Sequence, residues 1–171
     1  MKQTHRLLVD HIRRCRKVHP YLGDATAVVA LESNLGFESQ HLLHALNEAK
    51  LPKWIALAEG PGGSIGLHTT ADRKEQYCLI LREILKTERL AFHPGFFSCS
   101  MEVDEVKQRL KEEMLNFSVI VEPPKTTFGK TRRTYTGKLA GKQDDTVLAL
   151  QMNLYAVKTF YSSDRYKTYR G

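Results

Sequence analysis

The sequence predicts an α/β domain of three layers around a central mixed sheet. Three observations carry this expectation. Short apolar runs of strand character alternate with longer helical patterns through the middle of the chain. Residues 26–31, TAVVAL, are β-branched and continuously apolar, as a strand covered on both faces requires. The strongest helical pattern comes late: Val147, Leu150, Leu154 and Val157 recur at three-four spacing, with Leu148 and Met152 widening the stripe.

Taken in order, residues 4–18 read as an amphipathic helix with Leu8, Ile12 and Cys15 inward. Arg6, Arg13, Arg14, Arg16 and Lys17 crowd its other side, as a solvated face or one turned to an anion. Pro20 ends the helix and residues 21–24 form a turn. The strand at 26–31 runs into Glu32 and a polar loop. A carboxylate at the carboxyl end of a buried strand lies where open α/β sheets place ligands, and a strand-end Glu turned to water is the plain alternative. Residues 36–49 form a helix with Leu42, Leu43, Leu46 and Ala49 apolar. His41 and His44 stand on it at i, i+3 with no third ligand near in sequence, which favours surface or packing histidines.

Residues 54–58, WIALA, make a second apolar strand. The glycine-rich residues 60–63 lack the lysine and Ser/Thr of a P-loop and lead into strand-like residues, so they read as a plain loop. Residues 69–72, TTAD, open the longest helix, to residue 87, with Tyr77, Cys78, Leu81, Ile84 and Leu85 buried. Residues 90–93 add a short edge strand. A further helix covers 101–117, with Val103, Val106, Leu110, Met114 and Phe117 apolar. Strand composition follows over 116–121 and stops at Pro123-Pro124.

At 171 residues, 42% hydrophobic and 26% charged, the chain suits one globular domain, over residues 1–161, with a mobile basic tail over 162–171. A net charge of +7 favours an anionic partner, nucleic acid first. Cys15, Cys78 and Cys99 are too few and scattered for a disulfide framework or zinc site, and Cys15 and Cys78 fall on helix core faces as reduced packing residues. No apolar run reaches membrane-spanning length, and the opening residues lack a signal-peptide stretch.

Two features point to chemistry. From Pro123 through Gln143 there is no acidic residue, while Lys125, Lys130, Arg132, Arg133, Lys138 and Lys142 are cationic and Phe128 and Tyr135 are interleaved. Charge with aromatics in a flexible segment is the footprint of a nucleic-acid contact, and a solvated loop is the alternative. This run leads to Asp144 and Asp145 at the mouth of the last helix. One Asp there caps the helix, but a second leaves a carboxylate free to hold a cation. Glu32 lies far upstream, yet folding can bring it to the same rim of a sheet. Carboxylates converging beside a basic groove fit two divalent ions, Mg²⁺ or Mn²⁺ by their oxygen ligands, in phosphodiester cleavage.

Residues 28–34 (VVALESN), 66–70 (GLHTT) and 134–150 (TYTGK followed by GKQDDTVLAL) resemble the C-terminal nuclease domain of the herpesvirus terminase large subunit. The similarity covers most of the chain in the same order, and the G-K-x-D-D element before an apolar helix is its most specific part. The resemblance implies an RNase H/integrase-like fold and a metal-dependent endonuclease that cleaves concatemeric double-stranded viral DNA during packaging in the host nucleus. It implies Glu32 and Asp144 as catalytic metal ligands, with Asp145 as neighbour or alternative. It also implies other terminase subunits, the capsid portal and an upstream ATPase part of the same protein as partners, with no membrane. No Walker motif is present in this chain.

The family's first catalytic Asp lies on a strand well upstream of the Glu. No apolar strand ending in Asp precedes Thr26 here: Asp10 falls within a helix pattern and Asp24 in a turn. The expectation is therefore an N-terminally truncated domain that binds both ions poorly and cleaves weakly or not at all alone. Two other readings stand beside it. One is a non-catalytic DNA-binding or docking module of the packaging assembly; the other is an RNase H-like resolvase or transposase.

Overall fold

Five α-helices and five short strands occur among the described residues. They are α1 (Lys2–Val18), β1 (Ala27–Val29), α2 (Glu38–Glu48), β2 (Trp54–Leu57), α3 (Ala71–Lys86), α4 (Val103–Asn116), β3 (Ser118–Glu122), β4 (Arg132–Thr136), α5 (Asp145–Ser162) and β5 (Thr168–Arg170). The computed structural model describes residues 2–33, 38–59, 65–92, 103–124, 126, 131–138, 141, 143–162 and 168–170. They gather into two compact units, one of residues Met1–Thr69 and Thr159–Gly171, the other of Thr70–Lys158.

In the first unit α1 and α2 cover a three-stranded mixed sheet. β1 and β2 run parallel, Ala27 opposite Trp54 and Val29 opposite Ala56, and β5 adds antiparallel to β2 with Leu57 opposite Thr168. Val9, Leu42, Leu43, Leu46, Leu51, Trp54 and Ala56 form the core between helices and sheet. Complete burial belongs to β2, all four of whose residues are buried, rather than to β1, whose Val28 is 37% exposed. The central position of β2, between two neighbours, accounts for the difference. The C-terminal stretch departs from the mobile tail expected of it, since Thr168–Arg170 pairs with β2.

Past their ends β1 and β2 fork around a third segment. Gly66 N–H donates to Leu57 O at 2.7 Å, and Ser33 N–H donates to Leu67 O at 3.0 Å, so residues 66 and 67 pair in parallel with both strand ends. Gly66 has φ +105°, and a Cβ there would lie 2.9 Å from Ser33 Cβ and 3.0 Å from Leu31 O. Only glycine fits this approach. Part of the basic face of α1 is structural. Arg16 donates to the carbonyls of Ala25, Pro52 and Lys53, and Arg13 to that of Ala49, pinning α1 to the loops that enter β1 and β2.

In the second unit α3 begins at Thr70, whose hydroxyl oxygen accepts from Arg73 N–H at 3.2 Å. β3 and β4 form an antiparallel ladder from Ser118 opposite Thr136 to Glu122 opposite Arg132. Leu81 of α3, Leu110 of α4 and Val147 of α5 meet in one core, with Met114, Phe117, Leu150 and Leu154 packed against it. Tyr77 meets Tyr155 edge-on at 5.0 Å between ring centroids. Cys78 is partly buried and accepts from Gln151, and burial pushes its thiol up to about 11. The expected core faces are slightly rotated: Ile80 is buried where Leu85 is 44% exposed, and Gln151 and Tyr155 are buried where Val157 is 54% exposed.

The α/β class is thus observed. Among the described residues, however, the strands divide into two small sheets rather than one central sheet, because β3 and β4 pair with each other. The strand expected at residues 90–93 is not formed over 90–92, and His93 lies outside the described residues, as does Cys99. Replacing Gly66 by Ala is expected to cost about 3 kcal/mol through backbone strain and the clash with Ser33. Urea unfolding of Gly66→Ala beside the parent chain measures this.

A candidate carboxylate site at the start of α5

Asp144 stands where β4 hands the chain on to α5. Its carbonyl accepts the first helical hydrogen bond, from Leu148 N–H at 2.9 Å, so its backbone occupies the N-cap position. An N-cap Asp ordinarily turns its carboxylate onto the second or third amide of its own helix. Here those amides, of Thr146 and Val147, donate instead to Glu113 Oε2 at 2.7 and 3.1 Å. Thr146 Oγ1 and Arg109 Nε donate to Glu113 Oε1 at 3.1 and 2.8 Å. The cap of α5 is therefore supplied by α4.

Relieved of capping, the Asp144 carboxylate points back to the end of β4. Oδ2 accepts from Gly137 N–H at 3.0 Å and from Thr136 Oγ1 at 3.4 Å. A Cβ on residue 137 would come within 2.9 Å of Asp144 Cβ, so glycine is required there for the carboxylate to approach. Asp144 is only 3% exposed, and its Oδ1 has no hydrogen-bond partner. The nearest cation is Lys138, whose Nζ lies 3.5 Å from Asp144 Oδ1 and 3.5 Å from Asp145 Oδ1. At that separation the pairing is Coulombic, and the exposure of Lys138 keeps it weak. The Asp144 carboxylate, then that of Asp145, holds Lys138 above its ordinary value.

The donor chemistry fits a hard cation: two adjacent carboxylates, one exposed and one buried with an oxygen lacking a donor, and an ammonium lying against both. Asp144 and Asp145 are the residues that would hold it, with Lys138 as the present counter-charge. Among the described residues no group of three or more His, Cys, Asp or Glu side chains gathers closely enough to hold a metal ion. Glu32 belongs to the first unit, where it is half-buried in the fork and bridges to Leu67. A cavity of about 310 Å³ is lined by Arg109, Glu112, Glu113, Asn116, Gly141 and Gln143; neither Asp of the pair lines it.

The expected DNA-contacting cations fare unevenly. Lys125, Lys130 and Lys142 lie outside the described residues. Arg132 is exposed opposite Glu122, whereas Arg133 pairs with Glu75 at 3.1 Å. Tyr135 also donates to Glu75 at 2.8 Å, and these two hydrogen bonds, Tyr135 first, hold the Glu75 carboxyl below its ordinary value. His41 and His44 are exposed, and His44 lies 3.1 Å from Glu48.

Glu113 is the residue that the sequence reading passed over. A signal existed: it stands three residues after Leu110 and four before Phe117, on the apolar face of α4. A carboxylate at a core position needs donors, and a capped helix end provides them. Comparison with protein-family models, curated proteins and solved structures finds no match.

Burial pushes the Glu113 carboxyl up, but the hydrogen bonds from Arg109, Val147 and Thr146 outweigh it and leave it below its ordinary 4.5. A lowered carboxyl contributes stability that is complete above 4.5 and is lost as the pH falls through its lowered value. Glu113→Gln is therefore expected to cost about 1–3 kcal/mol at neutral pH and nothing in strong acid. Urea titrations of both proteins across the acid range measure the convergence.

Proposed function

We propose that this chain is the metal-dependent endonuclease portion of a viral DNA-packaging terminase, cutting concatemeric double-stranded DNA as genomes are packaged in the host nucleus. One observation supports the reading most. The buried carboxylate of Asp144 is released from capping and keeps an oxygen without a hydrogen-bond donor beside a second carboxylate. The motif that places it, Thr136-Gly137-Lys138 before Asp144-Asp145, is the part most like the herpesvirus terminase nuclease.

In this reading the domain is RNase H-like. Asp144 and Asp145 hold Mg²⁺ or Mn²⁺, and Glu32 is the further ligand that the resemblance implies. Such ions, when bound, activate water and stabilise the leaving oxygen of a phosphodiester. Asp144 presents a fixed oxygen, Gly137 N–H orients the carboxylate, and Lys138 neutralises the pair until a stronger cation arrives. The exposed Arg132 contacts the DNA backbone, and Lys125, Lys130, Arg133, Lys138 and Lys142 are the further cations the sequence assigns to it. The other terminase subunits, the portal and the upstream ATPase part are the partners this assigns. Among the described residues no helix is long and apolar enough to cross a membrane.

The excess of positive charge, +7, also favours a second reading, a DNA-binding module without cleavage. In the full-length protein, Asp144→Ala and Glu32→Ala are each expected to lower Mn²⁺-dependent cutting of plasmid DNA by roughly a hundredfold or more. Circular dichroism checks that the variants stay folded. Full cutting by both variants overturns the nuclease assignment. Salt-sensitive DNA binding without any metal-dependent cutting supports the binding module.

A further inference from the structure

Two carboxylates have a claim on the same pair of amides. The backbone of Asp144 makes it the N-cap of α5, and the amides an N-cap Asp prefers are those of Thr146 and Val147. Glu113 holds both, with four donors shared between its two oxygens. Asp144 has Gly137 N–H and a long contact from Thr136 on one oxygen, and on the other no hydrogen bond but the Lys138 ammonium at 3.5 Å. Both side chains are buried, so protein donors weigh heavily on each. The under-satisfied carboxylate is thus held away from the better donors by the residue already occupying them.

We propose that Glu113 is a positioning residue: by occupying the first amides of α5 it keeps Asp144 off its own helix and holds the Asp144 carboxylate toward Gly137 and Lys138. Without Glu113 the Asp144 side chain turns back and becomes an ordinary cap. Helix α5 then survives, but the paired carboxylates come apart. Arg109, one turn before Glu113 on α4, loses its partner in that exchange; Lys138 keeps only Asp145. The exchange itself needs no assumption about activity. Its consequence for cation binding rests on the nuclease reading.

The experiment is done on the 171-residue chain, first without metal. In Glu113→Ala the Gly137 amide is expected to shift in the NMR spectrum and exchange with solvent about tenfold faster or more, while Thr146 and Val147 remain protected. Glu113→Gln retains an acceptor oxygen for the helix end and leaves Gly137 near its parent position. Mn²⁺ broadening centred on Asp144 and Asp145 should then need roughly ten- to a hundredfold more metal in Glu113→Ala. A Gly137 amide unmoved in Glu113→Ala overturns the proposal, as does loss of protection at Thr146 and Val147. Failure of Glu113→Ala to fold also overturns it, because the replacement cap would not have formed. If Gly137 moves but Mn²⁺ broadens nothing in either protein, the positioning role stands and its consequence for cation binding falls, while the nuclease reading is decided by the cutting assay on the full-length protein.

Discussion

The second unit turns on one buried charge. Placing an ionised carboxylate inside a protein costs on the order of several kcal/mol unless donors surround it. Glu113 meets that cost with two main-chain amides, a hydroxyl and a guanidinium. The amides lie at the positive end of α5, so the helix dipole adds to the attraction. One interaction thereby joins α4 to α5, sets where α5 begins and determines which way Asp144 points. The strand end that receives Asp144 is shaped for it, since residue 137 has no side chain to intervene.

Helix positions were readable because apolar spacing is local information. α1, α2, α3, α4 and α5 all fall where three-four periodicity places them, and Thr70 caps α3 as its sequence indicates. What escaped depends on partners distant in sequence. The spacing around residue 113 marks a carboxylate on an apolar face, but does not say which helix, beginning more than thirty residues later, supplies its donors. The sequence makes one of the adjacent aspartates the side-chain cap of α5, whereas Glu113 accepts from the amides of Thr146 and Val147 and neither aspartate has to. The division of strands into two sheets was likewise hidden, because the composition of β3 and β4 does not state that they pair with each other.

Charge counts mislead for a related reason. The basic face of α1 and the basic run after Pro123 look equally available in the sequence, yet many of these cations are already spoken for inside the protein. Arg13 and Arg16 satisfy carbonyl oxygens, Arg133 helps fix α3 against β4 through Glu75, and Lys138 lies between the two aspartates. An electrostatic footprint drawn from composition alone would spread over both units. The contacts leave Arg132 as the described cation of the run most open to an outside anion, with Glu122 opposite it in the ladder.

The pairing of β5 with β2 has a consequence for how the protein is made. The first unit is discontinuous in the chain: residues of the whole second unit intervene between β2 and the strand that completes its sheet. Until that strand is synthesised, one edge of β2 has main-chain groups open to any passing extended peptide. Closing so long a loop is entropically slow while the intervening residues are unfolded, and early folding of the insert shortens the search. Chains interrupted before β5 would leave that edge of the apolar β2 without its partner strand.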